Sequence, residues 1–168
     1  MRIAITKGDT DDLVAIRRED GSYAQARVPK KGPVPHDAVH YFVETGLNLA
    51  HGFWGHVAQG LHPDELVELA KAGGHASASR AEVPDAAIVE LVQAERLVES
   101  FEADLWSGGG EEDDILAMAR AGCATAHVAL PSLAGGTVEA VRSSLMQFAC
   151  DWIDAPVGHV VQLRWACL

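Results

Sequence analysis

Alternation of apolar and polar residues near the start of the chain predicts β-strands. Residues 2–7 alternate weakly, and residues 13–18 and 22–28 lie on either side of an Asp20-Gly21 pair. An Asp-Gly pair between two alternating segments is a strong hairpin signal, because it suits the tight turns whose twist matches that of paired strands. Successive residues of the second arm face opposite sides, so we expect one covered and one solvated face of the sheet.

The middle of the chain changes to helical periodicity, with apolar residues that recur every three or four positions. Prolines, acidic residues and Thr137, which we expect to be an N-cap, mark where helices begin. The expected helix starts are Pro35, Pro63, Pro84, Glu111 and Thr137, and the expected ends include Gly46, Gly73-Gly74 and Trp106. Between Asn48 and Gly60 we expect a short helix or an irregular turn.

Residues 159–166 return to alternation, which predicts a final strand that pairs with the N-terminal hairpin. Strands first, helices next and a strand last are typical of the α+β class. The expected fold is a small antiparallel sheet, built from the N-terminal hairpin and the C-terminal strand and covered by about five to six helices. No internal repeat or low-complexity linker divides the chain, so we expect one α+β domain over residues 1–168.

The chain is acidic, with a formal net charge of −11 at pH 7. This argues against a nucleic-acid partner, because the surface would repel phosphates. The chain has no run of roughly 18 apolar residues, and its N-terminus lacks the apolar core of a signal peptide. We therefore expect no membrane partner and a cytoplasmic location. The three cysteines are widely separated and form no Cys-x-x-Cys pair, so zinc-ribbon and thioredoxin-type sites are not supported.

The most informative pattern lies on the first predicted helix, where His36, His40 and Glu44 follow one another at four-residue spacing. Residues four apart share one face of a helix, one turn above the other. Two imidazoles placed in this way can bind one metal ion, and a divalent ion such as zinc is the natural candidate. Glu44 can serve as a third ligand or can orient a histidine through a hydrogen bond. The three residues border the apolar arc of the helix, as expected for the wall of a cleft.

Further ligands have to come from outside this helix. His51 and His56 are the nearest in sequence, and a chain reversal after Gly46 would bring them back towards the first helix. Asp37 and Glu44 are the carboxylates available for proton transfer beside the histidines, which makes them candidate catalytic residues.

Asp37 separates this stretch from two known motifs. In the His-Glu-x-x-His motif of zinc proteases a glutamate acts as the base, whereas Asp37 stands in that position and is shorter by about 1.5 Å. Histidine–aspartate phosphohydrolases need a further histidine upstream, and no histidine precedes His36. Neither class is supported.

The aromatic residues Phe53 and Trp54 stand between two glycines and two histidines. One interpretation is a lid that contacts a ligand, since the glycines permit motion and the rings supply apolar contact. The other, which we favour, is a pair of aromatic side chains that fill the core where helices meet.

Three features together resemble those of a family of uncharacterised bacterial proteins. They are the hairpin turn Arg18–Gly21, the proline-rich stretch Pro29–Pro35 and the Pro-His-Asp-x-x-His-x-x-x-Glu helix Pro35–Glu44. The resemblance covers about the first third of the chain and implies no activity.

Two main function hypotheses follow. The first is a protein with a divalent-metal site on the first helix, acting as a small metal-dependent hydrolase, with His36 and His40 as ligands and Asp37 or Glu44 in support. The second is a non-enzymatic domain that binds a small ligand or a protein partner, with a homodimer as one form, in which the histidines are structural. A metal-free acid–base or ligand-binding role for the same residues is a further alternative.

Overall fold

The computed structural model describes residues 1–72 and 83–166, and within these ranges it contains four strands and six α-helices. The strands are β1 (Arg2–Thr6), β2 (Asp11–Arg17), β3 (Tyr23–Pro29) and β4 (Val160–Arg164). They form one antiparallel sheet in the order β3-β2-β1-β4. The predicted α+β class is confirmed, and the last strand returns to the N-terminal strands by pairing with β1.

The predicted turn joins β2 and β3 as a hairpin. Gly21 has a φ of 85°, in the left-handed region that glycine adopts without strain, and the Arg18 N–H donates to the Ser22 carbonyl at 3.0 Å. Across the hairpin Val14 pairs with Ala26, and both side chains are buried, whereas their neighbours along each strand are more exposed. One face of the sheet is therefore covered and the other is solvated, as the alternation predicts.

The helices lie where the periodicity predicts them, and the short second helix occupies the segment between Asn48 and Gly60. They are α1 (His36–Leu47), α2 (Phe53–Ala58), α3 (Glu65–Ala72), α4 (Val89–Ser107), α5 (Glu112–Thr125) and α6 (Thr137–Asp154). A 3-10 turn over Ala86–Ile88 precedes α4, so the regular helix begins later than Pro84. The predicted helix end at Gly73-Gly74 lies outside the described residues.

The start of α6 differs from the prediction by one residue. Gly136 occupies the N-cap position with a φ of 81°, and Thr137 is the first helical residue. The Thr137 hydroxyl donates to the carbonyl of Ala134 and caps none of the free N–H groups of the helix, as an N-cap side chain would. The prediction of Thr137 as the N-cap is therefore wrong.

The inner face of the sheet and the apolar faces of the helices form one buried apolar cluster. Two basic side chains join the layers at their edges. Arg18 donates to the carbonyl of Leu61 at 2.7 Å, and Lys7 donates to the carbonyl of Trp152 at 2.7 Å, near the end of α6. Within the described ranges no helix combines the length and the apolar character needed to cross a membrane.

Candidate metal centre

Helix α1 positions the three polar residues that its sequence spacing predicts. It ends at Leu47, and Asn48 adopts the left-handed conformation with a φ of 59°, which turns the chain back. His36 is partly exposed, whereas His40 and Glu44 are only 2% and 0% exposed. His40 and Glu44 are therefore more buried than we expect for residues that border the apolar face of a helix.

A carboxylate holds each histidine ring at its Nδ1 atom. The His40 Nδ1 atom lies 2.8 Å from Glu44 Oε1, and the His36 Nδ1 atom lies 2.9 Å from Glu102 Oε1. An ionised carboxylate can only accept a hydrogen bond, so each ring donates its Nδ1 proton. The Nε2 atom of each ring is then left to bind another group. Histidines that bind metals are held in this way, which fixes the ring and makes its free nitrogen more basic.

The two Nε2 atoms meet at a third carboxylate, supplied by Glu95 of α4. They lie 3.2 Å apart, and Glu95 Oε2 is 3.1 Å from the Nε2 atom of His40. The other Glu95 oxygen is 3.7 Å from the Nε2 atom of His36. Two ligands bound to one tetrahedral zinc ion at about 2.0–2.1 Å lie roughly 3.3 Å apart. His36, His40 and Glu95 thus form a group that can hold one metal ion.

Glu44 supports His40 and is also tied to helix α2. Its Oε1 atom accepts from the Phe53 N–H at 2.9 Å, and its Oε2 atom accepts from the Trp54 N–H at 2.9 Å. These N–H groups have no partner within their own helix, so the carboxylate satisfies them. A Cβ atom at Gly52 would lie 2.5 Å from the Glu44 carboxyl carbon, so a glycine is needed there. With both oxygens engaged, Glu44 orients the His40 ring and lies away from the point where the Nε2 atoms meet.

The carboxylates make both rings strongly basic. Burial lowers the pKa of each histidine, but hydrogen bonds with Glu102 and Glu95 outweigh it and raise the pKa of His36 to about 9. In the same way, hydrogen bonds with Glu44 and Glu95 raise the pKa of His40 to about 10. Burial acts to raise the pKa of Glu95, yet the two histidines hold that pKa far below its usual range. Without a metal, both rings are therefore protonated at neutral pH, and a divalent ion brings the same charge as the two protons that it displaces.

The three candidate ligands lie in the wall of a cleft of about 440 Å³, bordered by β3, α1, α3 and α4. This volume is within the range of small-molecule sites. Asp37 lines the same cleft and is 6% exposed. Burial raises the pKa of Asp37, although the nearby positive charge of the histidines acts to lower it. Asp37 is therefore a buried carboxylate in the same cleft wall as the candidate ligands.

The other two predicted histidine ligands, His51 and His56, lie elsewhere. The Nδ1 atom of His51 is 3.4 Å from the side-chain nitrogen of Gln59. The Nε2 atom of His56 is buried without a hydrogen-bond partner among the described residues, and burial lowers its pKa. Neither contributes an atom to the group of candidate ligands. The chain does reverse after α1, as expected. The group that reaches the first helix is the backbone at the start of α2, and not either of these histidines.

The two aromatic residues of this segment have different roles. Trp54 is fully buried, and its indole N–H donates to the backbone carbonyl of Asp37 at 2.9 Å. Phe53 is partly exposed, lines the cleft and places its ring centroid 5.1 Å from that of His40. Trp54 therefore belongs to the core, as favoured from the sequence, whereas Phe53 forms an apolar wall beside the candidate ligands.

Two carboxylates of the site, Glu95 and Glu102, come from α4, and the pattern on the first helix does not point to them. They lie 55 and 66 residues along the chain from the histidines that they contact. One signal exists in the sequence, because Glu95, Glu99 and Glu102 share one face of α4. Glutamates are common on exposed helix faces, so only the packing of α4 against α1 separates these from ordinary surface residues.

Comparison of the chain with protein-family models, with curated proteins and with solved structures finds no match.

Proposed function

We propose that this chain binds one divalent metal ion, with zinc as the first candidate, and acts as a small metal-dependent hydrolase. The ligands are the Nε2 atoms of His36 and His40 and a carboxylate oxygen of Glu95. Glu44 and Glu102 hold the two rings, and the cleft beside them receives the substrate.

The observation that favours this proposal most strongly is that both histidine rings are held in the same way. Each ring has a carboxylate on Nδ1, and both Nε2 atoms turn towards one point that Glu95 also reaches. Ionisable groups are costly to bury unless they are paired, and clusters of buried ionisable groups in a cleft are typical of functional sites. A histidine that serves packing alone needs no carboxylate on both of its nitrogens.

The donor set fits catalytic metal chemistry. Two histidines and one carboxylate, with a fourth position left open, are found in catalytic zinc sites. The same set also suits ferrous iron, so a metal analysis should measure both elements. Zinc in such a site lowers the pKa of a bound water to about 7 and polarises a carbonyl or phosphoryl oxygen. Because the ligands line the cleft, a substrate in the cleft has access to the open position.

Asp37 is the proposed proton acceptor. Its carboxylate lines the cleft, and its raised pKa brings it closer to the neutral range in which a general base is most effective. The hydrogen bond from the Trp54 indole to the Asp37 carbonyl fixes this turn of α1 against the core. The short aspartate side chain is therefore held on a rigid element.

The test measures metal content and hydrolysis on the same samples. Protein purified without a histidine tag is loaded with zinc and assayed against ester, amide and phosphoester substrates. We expect about one zinc ion per chain and hydrolysis that chelation abolishes. The Asp37→Asn variant should keep the metal and lose roughly 100-fold or more in rate. The His51→Ala variant is the matched control and should keep both the metal and the rate.

Stoichiometric zinc with no metal-dependent hydrolysis would contradict the enzymatic part of this proposal. Failure to bind zinc or iron at all would contradict the whole of it.

A non-enzymatic binding domain is the second candidate, and one observation favours it. The two histidines and three glutamates satisfy one another's hydrogen bonds as they stand. In that case the cluster is structural and the cleft holds a small ligand or part of a protein partner. A folded double variant, His36→Ala with His40→Ala, would then bind that ligand as the wild type does.

A further inference from the structure

We infer that the substrate of this site is an amphipathic small molecule, with an oxygen-bearing acidic head at the metal and an apolar body along the rest of the cleft. This inference rests on the proposed metal site and adds a substrate class to it.

The walls of the cleft are apolar over most of their extent. Three elements supply these walls, namely β3, α3 and α4. Their apolar lining residues include Ala26, Val28, Leu66, Ala70, Leu91 and Val92. Small-molecule sites are typically lined by apolar side chains and carry a few polar groups that fix the orientation of the ligand. The apolar wall begins directly beside the candidate metal ligands, because the Phe53 ring packs against His40.

The basic residues that line the cleft differ in whether they form an ion pair. The Lys71 ammonium pairs with Glu68 at 2.7 Å, and the Arg96 guanidinium pairs with Glu99 at 2.7 Å. Lys31 also lines the cleft, is exposed, and forms no ion pair within the described residues. A lysine in the wall of the same cleft as a bound cation favours a ligand with an anionic head, such as a carboxylate.

Small side chains leave the space for the apolar body. Ala26 is buried on the inner face of β3, and Ala70 lines the cleft from α3. A larger side chain at either position would project into the volume of about 440 Å³. These two alanines therefore give a means to close the apolar part of the cleft from two different walls without changing a candidate ligand.

The experiment compares two hydroxamic acids, whose common head binds a divalent ion through two oxygens. Dissociation constants of acetohydroxamic acid and octanohydroxamic acid are measured by titration calorimetry on the zinc-loaded protein. We expect the longer molecule to bind at least about tenfold more tightly, because its chain leaves water for the apolar cleft. Ala26→Phe and Ala70→Phe should each bring the two constants close together while the zinc content and the affinity for acetohydroxamic acid are kept.

Gln25→Phe is the matched control, because Gln25 precedes Ala26 on β3 and faces solvent. It adds the same ring on the opposite face of the sheet, so it should keep the preference for the longer molecule. Equal binding of both hydroxamic acids by the zinc-loaded wild type would overturn the inference and leave the metal site standing. Survival of the preference in both filled variants would overturn it as well. Absence of bound zinc would instead contradict the proposed function.

Discussion

Three glutamates on one face of α4 have different surroundings, although the sequence presents them alike. Glu95 lies within reach of both Nε2 atoms, whereas Glu102 contacts the Nδ1 atom of His36. Glu99 pairs with Arg96 and is half exposed. The geometry therefore assigns one glutamate as a candidate ligand, one as the support of a ring, and one to the surface.

Replacement of each glutamate by glutamine should separate these roles. We expect Glu95→Gln to weaken zinc binding most, Glu102→Gln to weaken it by about 10- to 100-fold, and Glu99→Gln to leave it unchanged. Competition with a chromophoric chelator measures the three affinities. An effect of Glu99→Gln as large as that of Glu102→Gln would argue against the assignment.

Zinc affinity should rise with pH. The pKa values of His36 and His40 are raised to about 9 and about 10, so both rings carry an extra proton at neutral pH in the metal-free protein. Metal binding requires neutral imidazole and must release these protons, so a higher pH favours the bound form. Calorimetry in buffers with different ionisation enthalpies counts the protons released. Affinity that does not change between about pH 6 and pH 8, with no proton release, would contradict this prediction.

At the scale of single residues, contacts between residues of one helix could be predicted from the sequence, whereas contacts between helices could not. His36 and His40 are brought together because residues four apart on a helix are neighbours, whatever the rest of the fold does. Glu95 and Glu102 reach the histidines only when α4 packs on α1. The positions of His51 and His56, away from the candidate ligands, likewise depend on how the chain turns after Asn48.

At the scale of elements, the junction of α1 and α2 determines how firmly the site is held. The Glu44 carboxylate links the two helices by accepting from His40 and from the first two N–H groups of α2. Gly52 makes this approach possible, since a Cβ atom there would lie 2.7 Å and 2.9 Å from the two carboxylate oxygens. The junction therefore couples the conformation of a loop to the orientation of one candidate ligand.

Gly52→Ala should disturb both the fold and the metal site. We expect a loss of about 1–3 kcal/mol in the free energy of unfolding, because the methyl group displaces the Glu44 carboxylate. Zinc affinity should fall as well, since His40 loses part of its support. Urea denaturation and zinc titration measure the two effects. Gly135→Ala is the control, because a Cβ atom there meets nothing within 4 Å. Equal behaviour of the two variants would count against a role for this junction.

Helix positions followed from periodicity, whereas their first residues did not. The six residues buried along α6 lie on one face at helical spacing, and such a face is a property of local geometry. The start of α6 at Thr137 depends on a single hydrogen bond, and the start of α4 at Val89 depends on the 3-10 turn before it. The pattern of apolar residues encodes neither feature.

At the scale of the whole molecule, the proposed ion would join two helices that are distant in sequence. Its ligands come from α1 and from α4. Residues of both helices and of the sheet belong to one buried apolar cluster. The α+β class could be predicted from the order of the elements, because strands at both ends of a chain can complete one sheet. The cleft could not, since it depends on where α3 and α4 lie relative to β3, across the space that the three elements line.

Zinc should therefore stabilise the entire fold. An ion that binds only the folded state at a free concentration about 100-fold above its dissociation constant adds about 2.7 kcal/mol to the free energy of unfolding. Thermal and urea denaturation with zinc and with a chelator measure this difference. The double variant His36→Ala with His40→Ala should show no such shift. A shift of the same size in that variant would mean that zinc binds elsewhere.

X-ray absorption at the zinc edge can show whether His36, His40 and Glu95 bind one ion. We expect nitrogen and oxygen neighbours at about 2.0–2.1 Å, with the scattering of two imidazole rings, and only one ring in the His36→Ala variant. Sulfur neighbours, or a spectrum that His36→Ala leaves unchanged, would contradict it.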